Sequence, residues 1–186
     1  MWALGSVLAY YIPTVEHAGV ASAAAAAGFT LLNICAAGSR VVWGRRADRH
    51  GGTRRVQTLR LTGVLAWAAS IAMPLALAAG AWAAIPTTVA LAFGVFGFNG
   101  VLYLVVGEIA GSDRAGRAVG LASTVVFGWG SLAAPIAGLA IEHTGYPVIW
   151  VISAITTAGG AAIATAMLRS TPAGDDRILD SWATGD

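Results

Sequence analysis

The chain has 186 residues, of which 57% are hydrophobic and only 11% are charged, and its mean hydropathy is +0.72. A soluble domain of this size carries about 25% charged residues, so this composition excludes an ordinary water-soluble protein and indicates a lipid environment. The net charge of +2 is small, and the single cysteine excludes an intramolecular disulfide and a cysteine metal cluster. We expect no cofactor, no metal site and no nucleic-acid partner.

The chain begins with a short apolar stretch, residues 2–13, which would cover roughly 18 Å as a helix. We interpret it as the outer part of a helix whose beginning is missing; a re-entrant or surface helix is the alternative. Each apolar stretch that follows is long enough to cross a hydrocarbon core of about 30 Å, which needs about 20 helical residues. They cover residues 20–42, 61–79, 84–106, 118–141 and 147–168.

This pattern predicts an all-α fold, a polytopic transmembrane helical bundle that occupies residues 1–169. Helices are expected because a helix satisfies all of its backbone hydrogen bonds internally, which hydrocarbon requires. Residues 170–186 are polar and acidic, and we expect them to form a disordered cytoplasmic tail.

The charges divide sharply between the two ends of these predicted spans. All eleven basic residues are arginine, and all fall on one side of the membrane if every span crosses once. They are Arg40, Arg45, Arg46, Arg49, Arg54, Arg55, Arg60, Arg114, Arg117, Arg169 and Arg177. The breaks on the other side contain Glu16, His17, Glu142 and His143 instead. The positive-inside rule then places the arginines and both termini in the cytoplasm, and we expect a bacterial inner (plasma) membrane.

The most specific motif follows the 20–42 span and is called here the basic loop. It reads Gly44-Arg45-Arg46-Ala47-Asp48-Arg49-His50-Gly51-Gly52-Thr53-Arg54-Arg55. Its glycines permit a tight turn and a close approach to neighbouring helices. Asp48 puts a carboxylate at the membrane boundary, where it can face an arginine or the positive amino-terminal end of a helix. We predict Arg114, Arg117 and the start of the 118–141 helix as its partners.

Such contacts would form a conformational latch, meaning a cluster that holds the cytoplasmic helix ends together in one state and releases them in another. The alternative is that the arginines only fix the topology by contacting lipid headgroups.

The basic loop resembles the signature loop of the major facilitator superfamily, roughly G-x-x-x-D-R-x-G followed by a basic pair. Here Gly52 and Thr53 separate the second glycine from that pair. In the family this loop joins helices two and three and recurs in weaker form between helices eight and nine. One partial span precedes the loop here and the remaining spans follow it, which is the order of the second copy. The resemblance implies half of a major facilitator fold, helices seven to twelve with the first one truncated.

A second segment, residues 107–120, resembles the stretch after helix ten in that superfamily, where an acid precedes an R-G or G-R element. Glu108 is the acid, and we predict that it pairs with Arg114 or with the basic loop. The resemblance therefore implies a latch with these members: Gly44, Asp48, Arg49, Gly51, Glu108, Arg114 and Arg117.

In this superfamily helices seven, eight, ten and eleven line the substrate cavity, which implies lining by residues 2–13, 20–42, 84–106 and 118–141. Helical spacing places polar residues of the last three stretches on common faces. The substrate-cavity candidates are Thr30, Asn33, Phe96, Asn99, Tyr103, Thr124, Trp129 and Ser131. They would bind substrate near the bilayer midplane; the alternative is hydrogen bonding between helices, worth about 0.6–2 kcal/mol each. We expect no ionisable residue near the middle of any span.

These features predict transport of a small-molecule substrate across the lipid bilayer by alternating access, and no enzymatic activity. The chain would be the carboxy-terminal half of a secondary transporter, with a missing amino-terminal half as its partner. One alternative is a truncated remnant that inserts but does not transport. Another is a membrane-embedded enzyme, for which only the pairs Glu16–His17 and Glu142–His143 offer acid–base groups.

Overall fold

The computed structural model describes residues 1–48 and 53–170, and these residues form helices joined by short turns. The helices are α1 (Trp2–His17), α2 (Ser22–Asp48), α3 (Thr53–Ala79), α4 (Ala81–Leu91), α5 (Phe98–Ala110), α6 (Ala115–Thr144) and α7 (Pro147–Ser170). A π-helical turn, Ala92–Phe96, connects α4 to α5, so that Ala81–Ala110 forms one continuous rod. By length and composition, α2, α3, this rod, α6 and α7 can each cross a membrane. The prediction of an all-α polytopic bundle is confirmed.

The helices next to the basic loop are longer than the predicted spans. α2 continues past residue 42 to Asp48, and α3 already begins at Thr53. Arginine and alanine are strong helix formers, so the charged residues extend both helices instead of ending them. Most of the predicted break at residues 44–55 is therefore helical. The predicted tail lies outside the described residues from residue 171 onward.

α3 and α4 are joined by a single residue, Gly80, whose φ is 118°. An L-residue with a side chain rarely adopts that backbone conformation, so the sharp reversal requires glycine here. The Gly80 N–H donates to the carbonyl oxygens of Ala76 and Leu77, both at 3.1 Å, which closes the last turn of α3. The two helices consequently form a tight antiparallel pair.

α1 packs against α6 through small residues. A side chain at Gly5 would collide with the carbonyl of Gly130 and the methyl of Ala133. Farther along, the Tyr10 hydroxyl donates to the Ala134 carbonyl at 2.9 Å. Because the residue numbers rise together on both helices, α1 and α6 run in the same direction, and α1 starts beside the middle of α6.

Tyr11 ties α1 to two other helices in the core. Its hydroxyl lies 2.7 Å from the Thr88 hydroxyl of α4, and both residues are buried. Its ring lies 6.0 Å from the ring of Phe29 and directly over Gly28, where a side chain would displace it. The apolar surroundings leave this hydroxyl pair without competing water, which favours the bond.

The π turn is held on two sides. On one side, Gly94 approaches the backbone of Ala66 in α3 so closely that no side chain fits between them. On the other, the Trp43 indole N–H of α2 donates to the Phe93 carbonyl at 2.9 Å, and the Ser39 hydroxyl lies 3.4 Å from the Ala92 carbonyl. Donors from α2 thus satisfy carbonyl groups at the point where the regular helical pattern is interrupted.

Contacts at the two ends of the bundle show which helix ends lie together. At one end, Arg55 near the start of α3 forms an ion pair with Glu108 near the end of α5. At the other, the ring of His17 at the end of α1 lies 4.7 Å from the ring of Tyr146, just before α7. Apart from Arg40, which lies farther inside α2, the described arginines of α2, α3, α6 and α7 lie toward the first end, called here the arginine end.

The close approach at Gly94 yields a direct test. We expect Gly94→Ala to destabilise the bundle by about 1–3 kcal/mol, because the new methyl group meets the rigid backbone of α3. The matched control is Gly100→Ala, where a methyl group meets open space and alanine favours the helix. Thermal unfolding in detergent should show a lower Tm for the first variant only. Equal Tm values would contradict this packing.

Candidate functional site

The arginine end is organised around an apolar contact between α2 and α5. Ala47 of α2 is fully buried and packs in one cluster with Val101 and Val105 of α5. Trp43 and Leu59 cover the sides of this cluster. This contact holds the last turn of α2 and the first turns of α3 against α5. It thereby brings Arg55 of α3 close to Glu108 of α5.

Arg55 connects these three helices. Its guanidinium group forms an ion pair with the Glu108 carboxylate, and its Nε donates to the Ala47 carbonyl at 3.3 Å. The Ala47 carbonyl is one of the last four in α2, which have no hydrogen-bond partner within the helix. A cation at this end also interacts favourably with the negative end of the helix dipole. The Arg55 side chain is 16% exposed and that of Glu108 is 45% exposed. The pair is therefore only partly shielded from water.

Glu108, for which the sequence predicts pairing with Arg114 or with the basic loop, lies against Arg55 of the basic loop. Arg55 is the contact residue missing from the predicted latch. The signal for it is the basic pair after the second glycine of the motif, which belongs to the family pattern. From the sequence, contact with lipid headgroups is an equally available role for that pair, because spacing alone does not reveal an ion partner.

Of the remaining charged members of the predicted latch, those that the structure describes do not meet. Asp48 is the last residue of α2 and is exposed, and within the described ranges it forms no ion pair. Arg114 directly precedes α6 and Arg117 lies in its first turn; both are exposed. The structure brings neither of them to Asp48 or Glu108. Arg49 and Gly51 lie outside the described residues.

Gly44 does not have the role predicted for it. It lies inside α2 and makes no turn, because α2 continues to Asp48. A methyl group added at Gly44 would meet nothing within 4 Å, so no neighbouring helix requires glycine at this position. The expected tight turn and close approach at Gly44 are therefore wrong.

The cavity candidates of α2 and α6 lie on the open sides of their helices. Thr30, Asn33, Thr124 and Ser131 are exposed, and each donates a hydrogen bond to a carbonyl one turn earlier in its own helix, at 2.8–3.0 Å. Trp129 is 58% exposed. None of these donors ties one helix to another, so the hydrogen-bonding alternative has no support at these positions.

The candidates near the π turn differ among themselves. Phe96 is 3% exposed and belongs to the main hydrophobic core, so it lies away from any open face. Asn99 and Tyr103 are half-buried, and the Asn99 Oδ1 and the Tyr103 hydroxyl are buried without a hydrogen-bond partner in the described part of the chain. Buried polar atoms normally have a partner, so these two oxygens are available to a water molecule or a ligand.

A cavity of about 260 Å³ lies between α1, α3, α5 and α7. Its lining is predominantly apolar and includes Leu4, Thr62, Phe98, Leu102 and Thr157. It contains none of the predicted cavity candidates. The candidates on α2 and α6 consequently lie outside this cavity, on exposed polar faces.

Comparison with known proteins identifies the family. A family model described as Major Facilitator Superfamily matches residues 1–184, which includes all of the described helices. No curated protein matches the chain. The match agrees with the apolar helices and with the charged contacts at the arginine end. The chain therefore belongs to the major facilitator superfamily and is an integral membrane protein, a transporter of the major facilitator kind.

Proposed function

We propose that this chain moves a small solute across the membrane by alternating access, as the carboxy-terminal six-helix half of a secondary transporter. The observation that carries the proposal is the position of Arg55. One guanidinium group joins the end of α2, the start of α3 and the end of α5. Alternating access needs a cytoplasmic contact that forms in one state and breaks in the other.

The strength of the Arg55–Glu108 contact suits such a role. A partly exposed ion pair is worth up to about 1 kcal/mol, because water screens it and both side chains lose freedom. The bond to the Ala47 carbonyl adds to this value and directs the guanidinium group. A stabilisation of this size biases the balance between two states without preventing their exchange.

The exposed polar faces of α2 and α6 are the proposed lining of the substrate cavity. Thr30 and Asn33 lie on the first face, and Thr124 and Ser131 on the second. Polar residues are costly when they face lipid, which supports placing both faces toward a water-filled space. Asn99 and Tyr103, whose side-chain oxygens have no hydrogen-bond partner among the described residues, are proposed to contribute from α5.

A cavity with two open faces needs a second half to close it. We propose that an amino-terminal half packs against α2 and α6, encoded either in the same polypeptide or separately. The arginine end lies in the cytoplasm of a bacterial cell in this proposal, because positively charged ends remain on that side.

The topology is tested with single cysteines in a Cys35→Ser background. Arg45→Cys, at the arginine end, should react with a membrane-impermeant maleimide only in inside-out vesicles. Glu142→Cys should react only in right-side-out vesicles, because it lies at the opposite end of α6. Reaction of both positions from the same side would contradict the proposed orientation.

The latch is tested by the labelling rate of Thr124→Cys, in the same background, with N-ethylmaleimide in inside-out vesicles. Arg55→Gln and Glu108→Gln should each remove about 1 kcal/mol of stabilisation from the closed state. The population of the open state, and with it the labelling rate of the cysteine, should then rise about fivefold. Exchanging the two charges, Arg55→Glu with Glu108→Arg, should restore much of the slower rate. Arg46→Gln is the matched control, since Arg46 is exposed and has no ion partner among the described residues.

Transport itself is tested after the chain has been combined with the six spans of the proposed amino-terminal half. A panel of radiolabelled sugars, amino acids, carboxylates and inorganic anions should include a solute whose uptake depends on the chain. Arg55→Gln and Glu108→Gln should then lower uptake several-fold while membrane insertion remains normal. Absence of chain-dependent uptake across the panel would favour the non-transporting remnant.

A further inference from the structure

Arg40 lies deeper in the bundle than the sequence indicates. The predicted span ends at residue 42, which puts Arg40 near a helix end. In the structure α2 continues to Asp48, so Arg40 lies about 12 Å from the end of its helix. Arg45 and Arg46, in the last turn, lie between it and that end.

Neighbouring contacts place Arg40 at the level of the π turn. Ser39 and Trp43, on either side of it in sequence, contact the carbonyls of Ala92 and Phe93 in the π turn. The adjacent Gly94 touches Ala66, the central residue of α3 (Thr53–Ala79). Arg40 is therefore level with the middle of α3. Within its own helix, Arg40 lies five residues beyond the middle of α2, on the side of the arginine end. The expectation that no ionisable residue lies near the middle of a span stays a prediction.

Arg40 also shares a face with a predicted cavity residue. It follows Asn33 by seven residues, or two helical turns, and Ala37 lies between them on the same side. All three are exposed. The exposed surface beside it carries apolar side chains: Ile34 is 66% exposed, and Val41, four residues after Ala37, is 53% exposed. Arg40 and Asn33 thus lie beside an apolar strip of α2, and Ala37 lies at the border between them.

No acid neutralises Arg40 in the described part of the chain, where it forms neither an ion pair nor a hydrogen bond. Glu108 is paired with Arg55. Glu16 and Glu142 belong to the opposite end of the bundle, and Asp48 lies at the end of α2. A charge about 12 Å from the helix end is costly in lipid, which favours a water-filled space around Arg40.

We propose that Arg40 is the charge-selecting residue of the substrate cavity and that the transported solutes are small oxyanions, bearing carboxylate, phosphate or sulfate groups. This inference rests on the proposed transport function and adds the substrate class. The planar guanidinium group donates two parallel hydrogen bonds to a pair of oxygens, which is the geometry these anions offer. Asn33, two turns away on the same face, provides an amide for the rest of the solute.

The test measures charge selectivity beside Arg40 and does not require an identified substrate. Ala37→Cys, in a Cys35→Ser background, is reacted in phosphatidylcholine liposomes with two methanethiosulfonates, the anionic sulfonatoethyl reagent and the cationic trimethylammonioethyl reagent. The ratio of the anionic to the cationic rate should fall about tenfold in Arg40→Gln, because the local charge no longer concentrates anions. It should be largely kept in Arg40→Lys. Arg60→Gln is the matched control, an exposed arginine of α3 whose loss should leave the ratio unchanged.

Competition identifies the ligand class in the same preparation. Phosphate or succinate should slow modification of Ala37→Cys when Arg40 is present, and glucose should not. Addition of anionic lipid to the liposomes should leave the protection by soluble anions in place. If anionic lipid alone protects the cysteine, Arg40 binds headgroups and the proposal is overturned.

The possible failures are separable. If neither reagent modifies Ala37→Cys, this face of α2 does not meet water, and the proposed cavity fails together with the substrate class. If both reagents react and Arg40→Gln leaves their ratio unchanged, the cavity remains and only the role of Arg40 is overturned.

Discussion

Hydrocarbon offers no hydrogen-bond partners, and this constraint explains most of the arrangement of the chain. Nearly all described residues are helical, since a helix satisfies its own backbone. The exposed hydroxyl and amide groups of Thr30, Asn33, Thr124 and Ser131 each donate one hydrogen bond to their own helix, which leaves further hydrogen-bonding positions for the water of the proposed cavity. Where the helical pattern is interrupted, at the π turn, Trp43 supplies the donor from α2. Each of these polar groups therefore has a partner close by.

In hydrocarbon, burying an apolar side chain between helices gains little free energy, because lipid is equally apolar. The helices therefore associate through close packing. Glycine and alanine provide that contact where α1 meets α6 and where the π turn meets α3. The π turn is thereby held between α2 and α3, and the depth of both helices is set against the same turn. This arrangement also determines how far Arg40 lies from the arginine end.

The fold class follows from the sequence because it depends on two features, the long apolar stretches and the arginines on one side of them. Neither feature depends on how the helices pack. The ends of α2 and α3 do not follow from it. Hydropathy falls where the arginines begin, but the helix continues, since arginine and alanine favour it. For that reason the sequence misplaces Arg40 and assigns Gly44 to a turn, although Gly44 lies inside α2.

Helical spacing predicts which residues share a face, but it does not predict what that face meets. It groups Phe96 with Asn99 and Tyr103, yet Phe96 belongs to the core. The sequence predicts that Glu108 forms an ion pair. That its partner is Arg55 depends on how α3 packs against α5. Contacts between helices require the packing of the whole bundle.

The single-residue junction at Gly80 limits how α3 and α4 can move relative to each other. One residue spans at most about 3.6 Å, so the end of α3 and the start of α4 cannot separate during a conformational change. Any displacement of this end of α3 therefore carries the start of α4 with it. Because the rod continues from α4 through the π turn to α5, the motion is passed on to Asn99 and Tyr103.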